Sequence, residues 1–360
     1  MHEAGTMNVG DIGEFGLIER LRNTLPPPDG SLIIGVGDDA AVWRVGDRFT
    51  IATTDTMVAG VHFLPDVCAW EDVGWKALAV NVSDIAAMGG AARFALVTLA
   101  LPADTPVARI DAIYEGMNAC AEDYGVTIAG GDIVSAPVLS ITIALSGETA
   151  SASDGSLMVL RRDAAKPGDV IAVTAPLGGS AGGLRVLQEM QARGERASRG
   201  SDGAPENAPA DPRAQLVESH MHPWPRVDAG ELAVKAGIRC GMDISDGLVQ
   251  DLGHICRASG VDVELRLDDI PIEEALRQVY PDDARTLAAT GGEDYELILI
   301  GGEGALKLAD SALRRRLELE DRQIHFVGAV TAAGEGRVRT VDAAGADVAL
   351  GSGGWDHLRR

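Results

Sequence analysis

The sequence contains very little lysine, few aromatic residues and a large excess of negative charge. Lysine occurs only four times in 360 residues, and aromatic residues make up 4% of the chain. With 31 basic against 54 acidic residues, the formal net charge is −23. Nucleic acid and anionic membranes are themselves negative, so we expect neither as a main partner. A phosphate-binding site here cannot depend on a lysine cluster and needs metal ions, backbone amides or a few arginines.

Cysteines and long hydrophobic runs are scarce as well. Four cysteines without a Cys-x-x-Cys pair are too few and too scattered for a disulfide framework or a zinc ribbon. Free thiols are typical of a reducing cytosol. No stretch approaches the roughly 18 apolar residues of a membrane span, and the first residues lack the pattern of a signal peptide. We therefore expect a soluble, cytoplasmic protein whose core is filled mainly by Val, Leu, Ile and Ala.

Alternating helix and strand patterns predict an α+β protein with two halves that meet near residue 150. Helices are predicted at 70–88, 105–125, 180–191, 228–235, 245–259 and 272–279. Strands are predicted at 31–36, 50–54, 126–129, 138–146, 169–174, 261–267, 295–300, 325–330 and 338–341. The polar segment 194–215 is rich in Gly, Pro and Ser and predicts a mobile surface insertion. The predicted domains are therefore 1–150 and 151–360.

Five short acidic clusters stand at predicted strand ends or turns beside small residues. They are GVGDD (35–39), TTD (53–55), NVSD (81–84), GGD (130–132) and DISDG (243–247). Carboxylates suit Mg²⁺, which proteins hold through one or two carboxylates plus the phosphates of a substrate. Neighbouring glycines let backbone N–H groups approach phosphate oxygens. Together the clusters indicate a site for phosphates and hard cations.

Each cluster also has a simpler interpretation, because Asp-Gly pairs are common in turns. Asp39 is interpreted as a structural turn partner, and Asp251 as a residue on an exposed helix face. Asp84 differs, since its helical phase places it near the apolar face, where a carboxylate is costly unless it is paired or metal-bound. His220 and His222 are interpreted as solvated loop residues rather than a metal pair.

Several common catalytic signatures are absent. The sequence has no P-loop, no protein-kinase His-Arg-Asp or Asp-Phe-Gly, and no Gly-x-Ser-x-Gly elbow. The segment GVG (35–37) lacks the third glycine of a dinucleotide-binding fingerprint. These absences exclude the common kinase, hydrolase and dehydrogenase motifs and leave the aspartates to be explained.

Taken in order, nine segments resemble the thiamine-monophosphate kinase family. They are GEFGLI (13–18), GDDA (37–40), TDTMVAGVHF (54–63), KALAVNVSDIAAMG (76–89), GGD (130–132), AKPGD (165–169), DISDGL (243–248), GGEDYEL (291–297) and GWDH (354–357). The resemblance implies the ATP-binding superfamily of aminoimidazole ribonucleotide synthetase. Its members have an N-terminal α/β domain whose mixed sheet forms a barrel in a homodimer, and a C-terminal α+β domain. The resemblance further implies that the N-terminal domain binds ATP and Mg²⁺ and forms the dimer.

The implied reaction is direct in-line transfer of phosphate from ATP to thiamine monophosphate, the last step of thiamine diphosphate biosynthesis. The family's Mg²⁺ ligands match Asp38, Thr53, Thr54, Asp55, Asp84, Asp132, Asp243 and Asp246. Its ATP contacts match Thr53, Thr54, Gly131, Arg162, Ser245 and Tyr114, and its thiamine-phosphate pocket matches His62, Glu293 and Trp355. The implied catalytic residues are Asp55, Asp132 and Arg162.

Other members of the superfamily and a non-catalytic protein are the competing interpretations. A selenophosphate synthetase carries a reactive cysteine near its N-terminus, whereas the first cysteine here is Cys68. A hydrogenase-maturation dehydratase ends in cysteine, whereas this chain ends in arginine. An aminoimidazole ribonucleotide synthetase lacks the 54–63 and 354–357 patterns together. A non-catalytic nucleotide-binding protein needs no acceptor pocket, so the presence of His62, Glu293 and Trp355 disfavours it.

Overall fold

The first half of the chain forms an open, six-stranded mixed sheet. The computed structural model describes residues 8–152, 155–197, 211–321 and 323–350. The elements of this half are α1 (Val9–Arg22), β1 (Leu32–Ile34), β2 (Ala41–Val45), β3 (Arg48–Val58), α2 (Trp70–Ala87), β4 (Ala91–Leu101), α3 (Val107–Tyr124), β5 (Thr127–Ser135) and β6 (Ser140–Glu148). The strand order is β1-β2-β3-β6-β4-β5, in which β4 and β5 run parallel and the other neighbours antiparallel. Strands β1 and β5 are therefore the edges.

Helix α2 is buried on nearly all sides because it packs against both halves. Leu78, Val82 and Ile85 have no exposed surface and belong to the core of the first sheet. At its C-terminal end, Ala87 packs with Val234 and other residues of the second half. A helix that is surrounded in this way has to be apolar on most faces. Charged residues on it are costly unless they have partners.

Helices α2 and α3 cross at two glycines. A Cβ atom on Gly74 would lie 1.8 Å from the carbonyl oxygen of Ile113, and one on Gly116 would lie 1.7 Å from that of Glu71. No side chain fits at these distances, so the two backbones touch because glycine is present in both helices. The crossing therefore fixes the position of α2 along α3.

A second six-stranded sheet occupies the other half. A two-stranded ribbon of β7 (Ala150–Ser151) and β8 (Leu157–Met158) precedes it. The remaining elements are β9 (Val170–Val173), α4 (Gly179–Arg193), α5 (Pro212–Met221), α6 (Val227–Lys235), β10 (Cys240–Asp243), α7 (Leu248–Ser259), β11 (Val261–Arg266), α8 (Glu274–Val279), α9 (Ala284–Thr290), β12 (Leu297–Gly301), α10 (Glu303–Leu317), β13 (His325–Ala333) and β14 (Val338–Val341). The strand order is β10-β12-β9-β13-β11-β14.

The predicted α+β class is confirmed, although several elements were not predicted. The helices predicted at 70–88 and 105–125 agree with α2 and α3, and α3 ends at Gly125 with φ 65°. The elements absent from the prediction include α1, β2, β4 and α10. In β4, Phe94 and Leu96 are exposed, so the alternation of polar and apolar residues that marks a half-buried strand is missing. Within the described ranges, no helix is long and apolar enough to cross a membrane.

The predicted insertion at 194–215 is wrong at its C-terminal end. Helix α5 begins at Pro212, and the side chain of Asp211 accepts the backbone N–H of Arg213 at 3.0 Å. An aspartate cap followed by proline is a helix-start signal, and it was missed inside a polar segment. Residues 198–210 of the predicted insertion lie outside the described residues.

The α2–α3 crossing generates a stability prediction. We expect Gly116→Ala to lower stability by about 1–3 kcal/mol or more, because the added methyl group forces two backbones apart. The matched control is Gly304→Ala, where nothing lies within 4 Å of the new Cβ. This change should be neutral or stabilise by less than about 1 kcal/mol. Thermal and urea unfolding measure both variants, and equal stability of the two would contradict the close crossing.

Candidate active site

A cleft between the two halves collects most of the predicted site residues. Its volume is about 1180 Å³, and its walls include parts of α1, β3, α2, α4 and α7. The predicted residues that line it are Asp38, Thr53, Thr54, Asp55, His62, Asp84, Arg162, Asp243, Ser245, Asp246 and Glu293. The fold thus brings together residues that are far apart in the sequence.

One face of α2 contributes to the cleft along much of its length. Lys76, Val80 and Asp84 follow one another at four-residue intervals, and all three line the cleft. Four-residue steps stay on one face of a helix, and eight residues rise by about 12 Å. The cleft therefore has an acidic end at Asp84 and a lysine end at Lys76.

The acidic end places carboxylates from three separate elements against one another. Asp39, Asp84 and Asp243 each have a carboxylate oxygen within 4.8 Å of those of the other two. Thr53 Oγ1 donates to Asp84 Oδ2 at 2.5 Å, and Ser83 Oγ donates to Asp243 Oδ2 at 2.6 Å. Asp243 is almost completely buried. Like charges held together out of water are unfavourable unless protons or a cation neutralise them.

Burial and mutual repulsion raise the pKa values of this cluster. Burial, with the charges of Asp55 and Asp243, raises the pKa of Asp84 well above its ordinary value. Burial and the charge of Asp39 raise the pKa of Asp243 to about 8. Burial likewise raises the pKa of Asp38 to about 7. Ionising these groups therefore costs stability as the pH rises from about 4 towards neutrality.

Arg162 brings a positive charge to the acidic end. Its guanidinium forms an ion pair with Asp39, and its backbone N–H donates to Asp38 Oδ1 at 2.9 Å. Burial acts to lower the pKa of Arg162, but the charge of Asp39 raises it overall, so the side chain stays charged. Among the described residues, the buried atoms Asp39 Oδ2 and Arg162 Nε have no hydrogen-bond partner. An open carboxylate oxygen beside an open guanidinium N–H fits a cation and a phosphate group.

The lysine end is built around a buried ammonium group. Lys76 is 1% exposed, and its Nζ lies 3.3 Å from Glu293 Oε2 and 3.2 Å from His220 Nε2. His220 is also buried, and its Nδ1 lies 2.9 Å from Ser180 Oγ. Burial and the charge of Lys76 lower the pKa of His220 to about 3, so the ring is neutral. The network joins α2 of the first half to α4, α5 and the loop before β12.

That loop, residues 291–295, has a strained backbone. Glu293 has φ 65° and Tyr295 has φ 52°, values that non-glycine residues rarely adopt. Asp294 holds the loop by accepting the backbone N–H groups of Gly178 at 2.7 Å and Ser180 at 3.2 Å. The start of α4 therefore fixes the direction in which Glu293 leaves the backbone.

Glu293 remains ionised in this environment. Burial acts to raise its pKa, but the charge of Lys76 holds the pKa of Glu293 below its ordinary value. His62 acts in the same direction. The Nδ1 of His62 accepts the backbone N–H of Val58 at 3.0 Å, which fixes the imidazole plane. The lysine end thus combines a carboxylate, an ammonium and two imidazole rings.

Comparison with known proteins identifies the family. Residues 37–149 match the family model "AIR synthase related protein, N-terminal domain", and residues 166–341 match its C-terminal counterpart. The chain is 38% identical over 269 residues to the thiamine-monophosphate kinase of Bacillus subtilis, which covers 74% of this chain and 77% of that protein. It is 36% identical over 302 residues to that of Escherichia coli strain K12, with coverage of 82% and 86%. The chain belongs to the thiamine-monophosphate kinase family.

Solved structures extend the match to the whole fold. A structure described as AaThiL complexed with AMPPCP and TMP has a TM-score of 0.78 and 31% identity to this chain. The match covers 98% of this chain and 100% of that one. The resemblance to the thiamine-monophosphate kinase family, first seen in nine short segments, is confirmed.

Two residues expected from the thiamine-monophosphate kinase resemblance lie on the edge strand β5, away from the cleft. Asp55 pairs with Ile143, Ile143 with Val97, and Val97 with Gly131. Paired residues share a face of a sheet, and the next residue along a strand points to the other face. Asp132 therefore points away from Asp55. Gly131 also has a packing reason to be glycine, since its Cβ would lie 1.8 Å from the carbonyl oxygen of Val97.

Three other expected residues have different positions. Tyr114 lies on α3 and packs against the first core, and it does not line the cleft. Thr54 lines the cleft but is exposed. Successive residues of a strand point to opposite faces of the sheet, so Thr54 points away from the face of Thr53. Trp355 lies outside the described residues.

Two interpretations made from the sequence are wrong. Asp251 is not on an exposed face: it is 1% exposed, and its Oδ2 accepts the backbone N–H groups of Ser245 at 3.0 Å, Asp246 at 3.1 Å and Gly247 at 3.1 Å. It thereby shapes the DISDG turn, and burial raises the pKa of its carboxyl group. His220 and His222 are not solvated loop residues: His220 is part of the buried lysine end, and His222 Nε2 lies 2.7 Å from Asp72 Oδ1.

Sequence reasoning assigned no role to Lys76 and treated Asp39 as a turn partner. A signal for Lys76 was available. It is one of four lysines, it stands in an apolar helix, and it lies two four-residue steps before Asp84. Two charged residues on the same face of a buried helix indicate that this face lines a polar cavity.

Because the carboxylates of the acidic end repel one another, we predict that removing one of them raises the stability of the folded protein. In buffer with EDTA at pH 8, Asp84→Asn should raise the melting temperature by about 3 °C or more, because an ionised carboxylate no longer has to be buried. The gain should shrink at pH 5, where the wild-type cluster binds protons. Asp47→Asn, in an exposed hairpin turn, is the control and should melt like the wild type at both pH values. Scanning calorimetry measures the effect, and an unchanged Asp84→Asn melting temperature at pH 8 would contradict it.

Proposed function

We propose that the protein transfers the γ-phosphoryl group of ATP directly to the phosphate of thiamine monophosphate, which forms ADP and thiamine diphosphate. The observation that carries this proposal is the two-ended cleft. Its acidic end suits nucleotide phosphates with their cations, and Glu293 and His62 at the lysine end suit the rings of the acceptor. The related structure complexed with AMPPCP and TMP supports this assignment. The reaction is the last step of thiamine diphosphate biosynthesis.

We also propose that several Mg²⁺ ions bind at the acidic end. The raised pKa values and the open Asp39 Oδ2 fit a cation there, because carboxylates crowded in this way need positive charge. When bound, Mg²⁺ neutralises charge on the two anionic reactants. The proposed ligands are Asp38, Thr53, Thr54, Asp55, Asp84, Asp132, Asp243 and Asp246. We add Asp39, because one of its carboxylate oxygens lies within 4.8 Å of those of Asp84 and Asp243.

The chain's own residues then act mainly by positioning. Phosphoryl transfer needs little covalent chemistry from a protein, so no nucleophilic side chain is required. The acceptor phosphate has a second pKa of about 6 and is already an oxyanion near pH 7, so a strong general base is unnecessary. Arg162 is proposed to stabilise charge on the transferring group through its open Nε–H. Asp55 and Asp132 complete the proposed catalytic set.

Nucleotide and acceptor are proposed to occupy opposite ends of the cleft. Thr53, Thr54 and Ser245 are the proposed ATP contacts in the cleft besides Arg162. Gly131 and Tyr114 are also proposed as ATP contacts, although neither lines the cleft of its own chain. His62, Glu293 and Trp355 are the proposed acceptor contacts. An indole face stacks well on a flat cationic ring, which suits Trp355 to the thiazolium of thiamine.

We propose a homodimer that brings Asp132 into the site. Phe94 and Leu96 on β4 and Ile133 and Val134 on β5 are all exposed, and β5 is a sheet edge. An exposed apolar edge is a natural pairing surface. Because Asp132 points away from the acidic end of its own chain, we propose that it serves the cleft of the partner. A barrel formed by two such sheets would meet this requirement.

Domain division and location complete the proposal. We place the domain boundary near residue 150, between the two family-model matches, with ATP binding and dimerisation assigned to the first domain. We also place the protein in the cytoplasm. The four cysteines are free and buried, which suits a reducing compartment.

The proposed reaction predicts metal-dependent formation of thiamine diphosphate from ATP and thiamine monophosphate. Purified protein should form the diphosphate with Mg²⁺, and EDTA should abolish the reaction because the carboxylate cluster then lacks positive charge. Chromatography measures the product, and unphosphorylated thiamine is the acceptor control. Binding of ATP and Mg²⁺ without product would contradict the acceptor assignment.

The proposed dimer predicts complementation between two inactive variants. Asp55→Asn and Asp132→Asn should each abolish turnover while leaving the fold intact. If Asp132 serves the partner's cleft, a mixed dimer has one unaltered site, so coexpression of the two variants should restore about a quarter of wild-type activity. Size-exclusion chromatography checks the dimer. Inactive mixed dimers would place both aspartates in the same chain's site.

A further inference from the structure

Lys76 is buried more deeply than a lysine normally is. Its side chain is 1% exposed, although the ammonium group is strongly hydrated in water. The partners near its Nζ are Glu293 Oε2 at 3.3 Å and His220 Nε2 at 3.2 Å. Burying an ammonium is tolerated when an opposite charge and a hydrogen-bond acceptor compensate it. The geometry supplies one of each.

The hydrogen-bond directions in this network follow from the ammonium. Lys76 has only donors, so His220 Nε2 must accept from it, and the ring proton lies on Nδ1. Nδ1 faces Ser180 Oγ at 2.9 Å and is 3.6 Å from Glu293 Oε2. The imidazole is neutral, so the formal positive charge next to Glu293 is that of Lys76. His220 orients the lysine, and the lysine faces one carboxylate oxygen.

Glu293 is held at both its backbone and its carboxylate. Its backbone has φ 65°, and Asp294 ties the loop to the start of α4. Its side chain keeps 28% of its surface exposed and lines the cleft, while Oε2 faces Lys76. Two restraints of independent origin therefore aim one side chain into the cleft. A group restrained in this way is pre-organised for a ligand.

We propose that Lys76 is a positioning residue for acceptor recognition: its buried ammonium holds Glu293 Oε2, so that the other carboxylate oxygen of Glu293 faces the acceptor's rings. The ligand class is a phosphate monoester that carries a cationic heteroaromatic ring or a ring amine. This inference rests on the proposed function, in which Glu293 contacts the acceptor. It gives the ionised state of Glu293 a structural source within the same cleft and assigns Lys76 no contact with ATP.

A double-mutant cycle tests the proposal through kinetics. The variants are Lys76→Met, Glu293→Gln and the double variant, with the exposed Lys235→Met as the matched control. Lys76→Met should raise the KM for thiamine monophosphate about 10- to 100-fold, with less than about a twofold change in the KM for ATP. If Lys76 acts through Glu293, the double variant should have the same KM as Glu293→Gln. Multiplication of the two single effects, or an equal rise in both KM values, would overturn the proposal.

A second measurement does not depend on catalysis. The Glu293 carboxyl signal, assigned by its loss in Glu293→Gln, is titrated by ¹³C NMR in the wild type and in Lys76→Met. His220, His62 and Tyr295 also face Glu293 and are the same in both proteins. The pKa of Glu293 should rise by about one unit or more without Lys76. An unchanged pKa would overturn the proposal.

Two further controls test whether the variants fold and whether the wild-type protein catalyses the proposed reaction. Lys76→Met leaves a carboxylate without its partner and is expected to melt lower, whereas the double variant removes both charges and should recover. If Lys76→Met does not fold, recovery of folding in the double variant supports the pairing, and failure of both to fold overturns it. A wild-type protein that forms no thiamine diphosphate would overturn the proposed function and the acceptor role with it. The NMR comparison would still decide whether Lys76 sets the charge of Glu293.

Discussion

Several carboxylates lie close together in a poorly solvated part of the cleft, where they repel one another. The arrangement of the other cleft residues depends on this repulsion. Asp39, Asp84 and Asp243 come from three elements that meet only in the folded chain. Their repulsion opposes folding, and the ion pair of Asp39 with Arg162 offsets part of it. Sites in which charged groups are buried at a cost in folding free energy are typical of binding and catalysis, because they do not add to stability. The excess of acidic residues in the sequence is therefore matched by a concentration of carboxylates in the cleft.

Helix α2 connects this constraint to the rest of the molecule. It carries both Asp84 and Lys76, so the distance between the two ends of the cleft is set by helical rise rather than by flexible loops. Its contact with α3 through Gly74 and Gly116 leaves little freedom to slide. The proposed in-line transfer between two phosphates would benefit from such rigidity, because small displacements of the reacting groups greatly lower the rate.

The sequence was informative where local chemistry decides the structure. Helix α2 and the end of α3 at Gly125 follow from periodicity and capping, and the order of the acidic clusters gave the family. Buried polar partners were not predictable, because His220 and Asp251 have ordinary sequence neighbours and their burial depends on contacts made in three dimensions. The exposed residues of β4 hid that strand, since Phe94 and Leu96 break the pattern of a half-buried strand.

The two ends of helix α4 have different surroundings. Ser180 in its first turn and Gly178 just before it donate backbone N–H groups to Asp294 and so support the loop of Glu293. The last residue of the helix, Arg193, lies about 21 Å from Gly179 along the axis. The polar segment that follows Arg193 therefore begins at the end of α4 that is opposite to the Glu293 loop. A change of chain length after Arg193 is therefore expected to leave the hydrogen bonds of Asp294 intact, because they lie at the opposite end of the helix.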